Sequence, residues 1–340
     1  MATPVIFDKK NILVTGGAGF IGSHICEALL AKGMRVICVD NFITSNLNNI
    51  KFLLKDENFV FINHDINKPL NLENFPELEL FKIKFQGIQE VYHLACPMSP
   101  KDFEKNKMQT LYANSTGMRN ILDLAVKYHA KFLFTSTSTV YGGRPVDGHF
   151  LKESEFGLVD MYSARAAYDE GKRFAETMVQ TYSDIYNLKV KVARVFRTYG
   201  PRERLFSGEM IPDMILNALD NKDIEIFGDE TFSTSLCYVD DIVDGLIKLM
   251  DLDQDIGPVN FGSDIDLKLV DVVRSILEMT GSKSQIKFTD RLLFMTSLGL
   301  PDLTKAKDKL GWIPLVSLEN GLKKIIDYTV SVKELLTDFK

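Results

Sequence analysis

Tyr168 and Lys172 stand four positions apart in Tyr168-Asp169-Glu170-Gly171-Lys172, so on a helix they share one face. A cation beside a phenol lowers its pKa, and the phenolate can then take a proton from an alcohol. Once that proton has gone, the hydrogen on the carbinol carbon can leave as hydride, provided an acceptor is within reach. Alone, such a pair describes many solvated helix faces, and two other runs give it weight. The hydroxyls of Thr135-Ser136-Thr137-Ser138-Thr139 fall at the end of an expected strand, the edge where open α/β sheets bind ligands. One of them could orient the substrate oxygen.

The other run would supply the acceptor. Thr15-Gly16-Gly17-Ala18-Gly19-Phe20-Ile21-Gly22 follows the apolar Ile12-Leu13-Val14 and opens a helical pattern. Glycines there let the backbone turn tightly and approach a pyrophosphate, whose charge sits at the helix N-terminus. About 20 residues on, Asp40 ends the apolar Val36-Ile37-Cys38-Val39, where a carboxylate binds ribose hydroxyls and repels a 2′-phosphate. The expected cofactor is therefore NAD rather than NADP.

These groups need a scaffold that brings them to one edge. Strand patterns at Asn11–Thr15, Arg35–Asp40, Phe59–Asn63, Glu90–Leu94, Lys131–Thr135 and Lys191–Val195 alternate with helical ones at Ile21–Lys32, Thr110–Tyr128 and Ala164–Asn187. That rhythm predicts a Rossmann-type doubly wound parallel sheet in an α/β chain. After Gly200 short strands (Ile224–Phe227, Gln285–Phe288) mix with helices at Met210–Asp220, Asp240–Met250, Lys268–Thr280 and Leu318–Tyr328. We expect an NAD-binding domain over 1–195 with a returning segment near 235–262. A smaller α/β substrate-binding lobe would take 196–234 and 263–340, with the ligand cleft between the two.

The bulk composition excludes several classes. Forty basic against forty-six acidic residues give a net charge of −6, no general reason to bind nucleic acid or an anionic membrane. No apolar stretch approaches the ~20 residues needed to span a bilayer. The opening MATPVIFDKKNILV lacks the pattern of a secretory signal. Cys26, Cys38, Cys96 and Cys237 are scattered, and the five histidines lack metal-ligand spacing. The expectation is a cytoplasmic protein with free thiols and no metal.

On these residues the chain resembles the extended short-chain dehydrogenase/reductases, and within them the sugar-nucleotide epimerase/dehydratase group. TGGAGFIGSH (15–24), Val140-Tyr141-Gly142, the Tyr168/Lys172 pair and Asn114 carry that likeness. It is most similar to the UDP-glucuronate decarboxylases. The shared segments are FINHDI (61–66), Leu94-Ala95 with Pro97 and Ser99-Pro100, AAYDEGKRFAETM (166–178), TYGPR (198–202), CYVDDIVDGLIKLM (237–250) and DLTKAKDKLGW (302–312). The resemblance implies Tyr168 and Lys172 as catalytic groups with Thr137 as hydroxyl partner, and a homodimer formed through the two long helices. It extends the cofactor site from Gly16, Gly19, Gly22 and Asp40 to Phe20, Ile21, Asn41, Asp65, Ile66, Leu94 and Ala95. Pro97, Ser99, Thr139, Arg197 and Thr234 fall on the substrate side.

The sequence also departs from those decarboxylases. Thr139 stands where they carry a glutamate, Thr234 where they carry an arginine that grips the substrate, and Arg197 where they carry an asparagine near the phosphates. Leu292–Leu300 lacks the basic residues expected before Pro301-Asp302. Two outcomes follow from NAD-dependent oxidation of a nucleotide-sugar ring hydroxyl, at C4. One is decarboxylation with return of the hydride. The other is 4-epimerisation, or release of a keto sugar, without decarboxylation. Arg197 reads either as a replacement cation for the substrate or as a structural arginine paired with a carboxylate.

Overall fold

The computed structural model describes residues 9–98, 103–290 and 297–337, with side chains to 333. Its first half runs β1 (Asn11–Thr15), α1 (Phe20–Ala31), β2 (Arg35–Asp40), β3 (Phe59–Asn63), α2 (Ile83–Gln86), β4 (Glu90–His93), α3 (Lys107–Tyr112), α4 (Met118–Tyr128), β5 (Lys131–Thr137), α5 (Ala166–Tyr186) and β6 (Val190–Val195). The second half contains β7 (Thr198–Tyr199), α6 (Met210–Leu219), β8 (Ile224–Phe227), β9 (Ser233–Thr234), β10 (Cys237–Tyr238), α7 (Val239–Asp251), β11 (Val259–Phe261), β12 (Leu267–Lys268), α8 (Leu269–Thr280), β13 (Ile286–Thr289), α9 (Thr304–Leu310) and α10 (Leu318–Thr337).

The central sheet has seven strands in the order β11-β6-β5-β4-β1-β2-β3. Every pairing is parallel, beginning with Ile12↔Val36 on one side of β1 and Ile12↔Glu90 on the other. Side chains alternate across a strand, so successive apolar residues serve opposite layers. Ile12 and Val14 belong to the buried cluster that includes α1 and α7, whereas Leu13 belongs to the one that includes α4 and α5. That double burial is why β1 carries the unbroken apolar run Ile12-Leu13-Val14, as a parallel strand covered on both faces must. Strand order reverses between β1 and β4, and the crevice beyond their C-terminal ends is where such sheets take ligands.

The helix expected over Thr110–Tyr128 is interrupted. A π-turn at Ala113–Gly117 joins α3 to α4, and the helical run begins earlier, at Lys107. Within that turn the Asn114 amide donates to Thr110 O at 2.9 Å. The second lobe pairs β8 with β13 in parallel and β9 with β12 antiparallel. Its C-terminal part is pinned to the sheet by Trp312. That ring is fully buried, edge-on to Phe261 at 5.0 Å, and its indole donates to Asp241 O at 2.9 Å.

Candidate active site

A cleft of about 880 Å³ lies between the C-terminal edge of the sheet and the second lobe. One end is built by the turn between β1 and α1. Gly16 has φ +72°, and a side chain there would begin 2.7 Å from Ala95 N. At Gly22 an added Cβ would lie 2.1 Å from the Gly16 carbonyl oxygen, so the turn closes only on glycine. Gly19 caps α1 without a side-chain partner, and the first turn carries no acidic residue. Gly19, Phe20, Ile21 and Gly22 line the cleft at this helix start, the place where an anion meets main-chain N–H groups.

Asp40 sits at the tip of β2. Its Oδ2 accepts from Ala18 N at 3.1 Å, and its Oδ1 from Phe42 N at 2.9 Å and Ser45 Oγ at 2.7 Å. A carboxylate offers about four acceptor sites, so capacity remains for a ligand hydroxyl. Asn41, Asp65, Ile66, Leu94 and Ala95 join Phe20 and Ile21 in the same wall. The donors, the carboxylate and the glycine turn fit a dinucleotide.

At the centre of the cleft Tyr168 and Lys172, 6% and 4% exposed, face Thr137 at the end of β5. Lys172 Nζ donates to Thr135 O at 2.8 Å and lies 4.6 Å from the centre of the Phe134 ring. Burial pushes its pKa down, opposed by Cys96 and Glu176. Burial raises the Tyr168 phenol well above its ordinary value, Cys96 adds to this, and the neighbouring Thr137 hydroxyl and Arg165 oppose it. Desolvation outweighs the neighbouring charges, and the ammonium stands 5.9 Å from the tyrosine ring, turned to the strand. The positive charge of an oxidised nicotinamide would act in the opposite sense to burial.

The hydroxyl run is partly strand and partly turn, because β5 continues to Thr137. Thr139 N then donates to Thr137 Oγ1 at 3.3 Å and starts the single turn Ser138–Tyr141. Behind it Ser136 Oγ donates to Glu176 Oε1 at 2.5 Å, and Arg194 holds the same carboxylate at 3.0 and 2.8 Å. Arg194 also donates to Tyr141 Oη at 3.0 Å, and Tyr141 to Asn260 Oδ1 at 2.7 Å. A buried network therefore fixes where the turn ends.

On the substrate side Pro97, Thr139 and Arg197 line the cleft. Arg197 donates to the Met210 thioether at 3.5 Å, and Glu209 and Glu203 are near enough to act on its charge. Thr234 is placed elsewhere. It pairs with Leu267 in β9, is 4% exposed, and donates to Ser235 O at 3.3 Å, while Leu236 and Leu269 reach the cleft instead. Ser99 lies outside the described residues. The lining residues missed from sequence include Cys96, Arg165, Glu203 and Glu209. Arg165 had a signal, since it precedes Tyr168 by three and Lys172 by seven, the spacing of one helix face. The Cys96 thiol, raised by burial, accepts from Asn114 at 3.2 Å and faces both Tyr168 and Lys172. Among the described residues no cluster of metal-ligating side chains occurs, and no helix is long and apolar enough to cross a membrane.

The profile of the NAD dependent epimerase/dehydratase family matches residues 12–262. UDP-glucuronic acid decarboxylase 1 of Xenopus tropicalis is 39% identical over 321 residues, covering 94% of this chain and 72% of that protein. UDP-glucuronic acid decarboxylase 2 of Arabidopsis thaliana is 37% identical over 93% of this chain and 67% of its own length. Among solved structures, UDP-glucuronic acid 4-epimerase from Bacillus cereus, in complex with UDP-glucuronic acid and NAD, superposes with a TM-score of 0.81. It is 27% identical and covers 96% of this chain and 99% of that one. UDP-glucose 4-epimerase from Thermotoga maritima, with UDP-glucose, gives 0.82 at 28% identity over 95% and 99%.

Proposed function

The chain belongs to the NAD dependent epimerase/dehydratase family, and on that premise we propose that it oxidises C4 of a nucleotide sugar in a UDP-glucuronate decarboxylase-like reaction. The observation that carries this reading is that Tyr168, Lys172 and Thr137 line one cleft, with the Thr137 hydroxyl beside the phenol. On one side lies a glycine-built dinucleotide end, and on the other a deep second-lobe end holding Arg197. We assign the cofactor contacts to Gly16, Gly19, Phe20, Ile21, Gly22, Asp40, Asn41, Asp65, Ile66, Leu94, Ala95, Tyr168 and Lys172. Residues 1–195 with 235–262 form the cofactor part, and 196–234 with 263–340 the substrate part.

Tyr168 takes the proton of the C4 hydroxyl while the Thr137 hydroxyl holds the oxygen in line. NAD supplies the hydride acceptor at C4 and, once reduced, the donor that returns the hydride. A C4 ketone makes the neighbouring carboxylate labile. The bond between C5 and the carboxyl carbon breaks, CO2 leaves, and the electron pair passes into the C4 enolate. Tyr168, now protonated, stabilises that oxyanion by donating to it. C5 then takes a proton from water in the cleft, and reduction at C4 ends a redox-neutral cycle. Thr139 carries no ionisable group beside this centre, which favours a second reading: 4-epimerisation with the carboxylate kept, or release of the keto sugar.

Incubation with UDP-glucuronate and NAD⁺, followed by NMR, tests both. A UDP-pentose with release of CO2 is the expected product. The 4-epimer or a keto sugar selects the second reading, and no conversion at all overturns the proposal. Exposed apolar residues on α3 and α5, among them Leu111, Tyr112, Phe174 and Ile185, support a homodimer paired through these helices. The four free cysteines fit a reducing cytoplasmic setting.

A further inference from the structure

We propose that Arg165 is the residue that selects a uronate, holding the carboxylate on C5 beside the oxidised carbon. The assignment rests on the nucleotide-sugar reading above and takes up the role left open by Thr234, which is not in the cleft wall. Arg165 lines the cleft at the first turn of α5, and its main-chain oxygen accepts from Tyr168 N at 2.8 Å. The guanidinium lies over the Phe103 ring at 5.7 Å, and that ring stands edge-on to Tyr168 at 6.1 Å. Cation, aromatic platform and catalytic phenol thus form one contiguous wall. On a sugar whose C4 hydroxyl meets Tyr168, the carboxylate is borne by the adjacent ring carbon. On this proposal that carboxylate lies against this wall, where the Arg165 guanidinium can receive it.

Arg165 is also under-satisfied. A guanidinium has five N–H donors in a planar fork. Here one side-chain contact is a long bond from Nη2 to Asp169 Oδ1 at 3.4 Å, and Nε is buried with no partner. Leaving such donors unmatched is costly, and a carboxylate answers two of them at once. The position adds to the argument. Arg165 is the N-cap of a 21-residue helix, where the positive end of the dipole disfavours a cation. Asp169, in that first turn, offsets part of the cost but stays outside the cleft lining. The side chain and the helix end therefore present positive potential together, toward the place where the uronate charge would sit. Arg197, beside Met210, remains for the diphosphate.

The test is calorimetric binding of UDP-glucuronate, UDP-glucose and UDP to the NAD-loaded protein. Wild type should prefer UDP-glucuronate to UDP-glucose by roughly 10- to 100-fold, the range of a charge-assisted hydrogen-bond pair. Arg165→Met should erase that preference while leaving UDP and UDP-glucose within about threefold of wild type, since neither carries the uronate charge. Arg165→Lys should recover part of it. Asp169→Asn keeps the shape, removes the competing carboxylate and should tighten UDP-glucuronate alone. It keeps the proposal testable should the methionine variant fold poorly. Retention of the preference in Arg165→Met, or equal weakening of all three ligands in either variant, overturns the assignment. Failure of wild type to bind any of the three overturns the functional reading itself, and this assignment with it.

Discussion

The Lys172 ammonium donates to the main-chain oxygen of Thr135 at 2.8 Å, while its distance to the centre of the Tyr168 ring is 5.9 Å. The lysine is thus tied to the last part of β5, and the proposed function gives it the cofactor and Tyr168 the proton. Separate roles should give separate kinetic signatures. Tyr168→Phe should lower kcat by roughly 10²–10⁴-fold, the usual worth of a general base, with NAD affinity little changed. Lys172→Met should lower kcat and weaken NAD binding together. Steady-state rates beside cofactor fluorescence titration check both, and equal effects of the two variants on NAD affinity would contradict the division.

Binding of anions should weaken as pH rises through neutrality. Burial raises the Glu209 carboxyl to about 7; Asp213 adds to this, and Arg197 and Arg165 oppose it. Glu203, raised well above the usual range by burial and by Glu209, faces the same cluster. Below pH 7 Glu209 is neutral and leaves Arg197 free to attract a diphosphate. Above it the carboxylate competes for that arginine and repels the ligand. A bound anion lifts the Glu209 pKa further, so binding takes up protons just above neutrality. Titrating UDP from about pH 6 to about pH 8.5 should show a loss of roughly three- to tenfold, and Glu209→Gln should flatten the profile.

The Rossmann half was readable because each of its strands is short, apolar and punctuated. The expected Arg35–Asp40 and Phe59–Asn63 are the strands found, and α1 is displaced by one residue at each end. The site residues that were legible are those whose spacing has a meaning along the chain: the glycines, Asp40, and the Tyr168/Lys172 step. What escaped depends on tertiary placement. The π-turn at Ala113–Gly117 breaks the 3.6-residue period without any glycine or proline breaker at its start. Glu203 and Glu209 lie between β7 and α6, where no period connects them to Arg197. Thr234 shows the converse. Its likeness-based role needs a side chain turned to the cleft, and pairing with Leu267 buries it instead.

The network behind the hydroxyl run should carry a large share of the local stability. Arg194 and Glu176 are 12% and 14% exposed at the side chain and share two hydrogen bonds. Arg194→Met leaves a buried carboxylate without its cation, which costs about 3–5 kcal/mol. The double variant with Glu176→Gln should recover much of that loss. Thermal unfolding of the three proteins measures it, and a single variant as stable as wild type would show the pair to be dispensable.

Gly22→Ala should fail for steric reasons that leave the chemistry untouched. The added carbon would lie 2.1 Å from Gly16 O and 2.8 Å from Gly17 Cα, both main-chain atoms that cannot rotate away. The turn must open, at a cost of about 1–3 kcal/mol. We expect a lower Tm and loss of NAD binding, read by differential scanning fluorimetry with and without the cofactor. A variant that keeps full cofactor affinity would show that the turn tolerates widening.

The outermost strand of the sheet, β11, is laid beside β6 only after the chain has built β7, α6, β8, β9, β10 and α7. The substrate half is consequently not a cassette. Grafting it from one relative onto another would require junctions after Val195, ahead of Ser235 and again beyond Gly262. A simple cut at the first of these would strip β6 of its neighbour. A change of substrate preference is thereby expected from single side chains on the cleft wall rather than from exchange of the whole lobe.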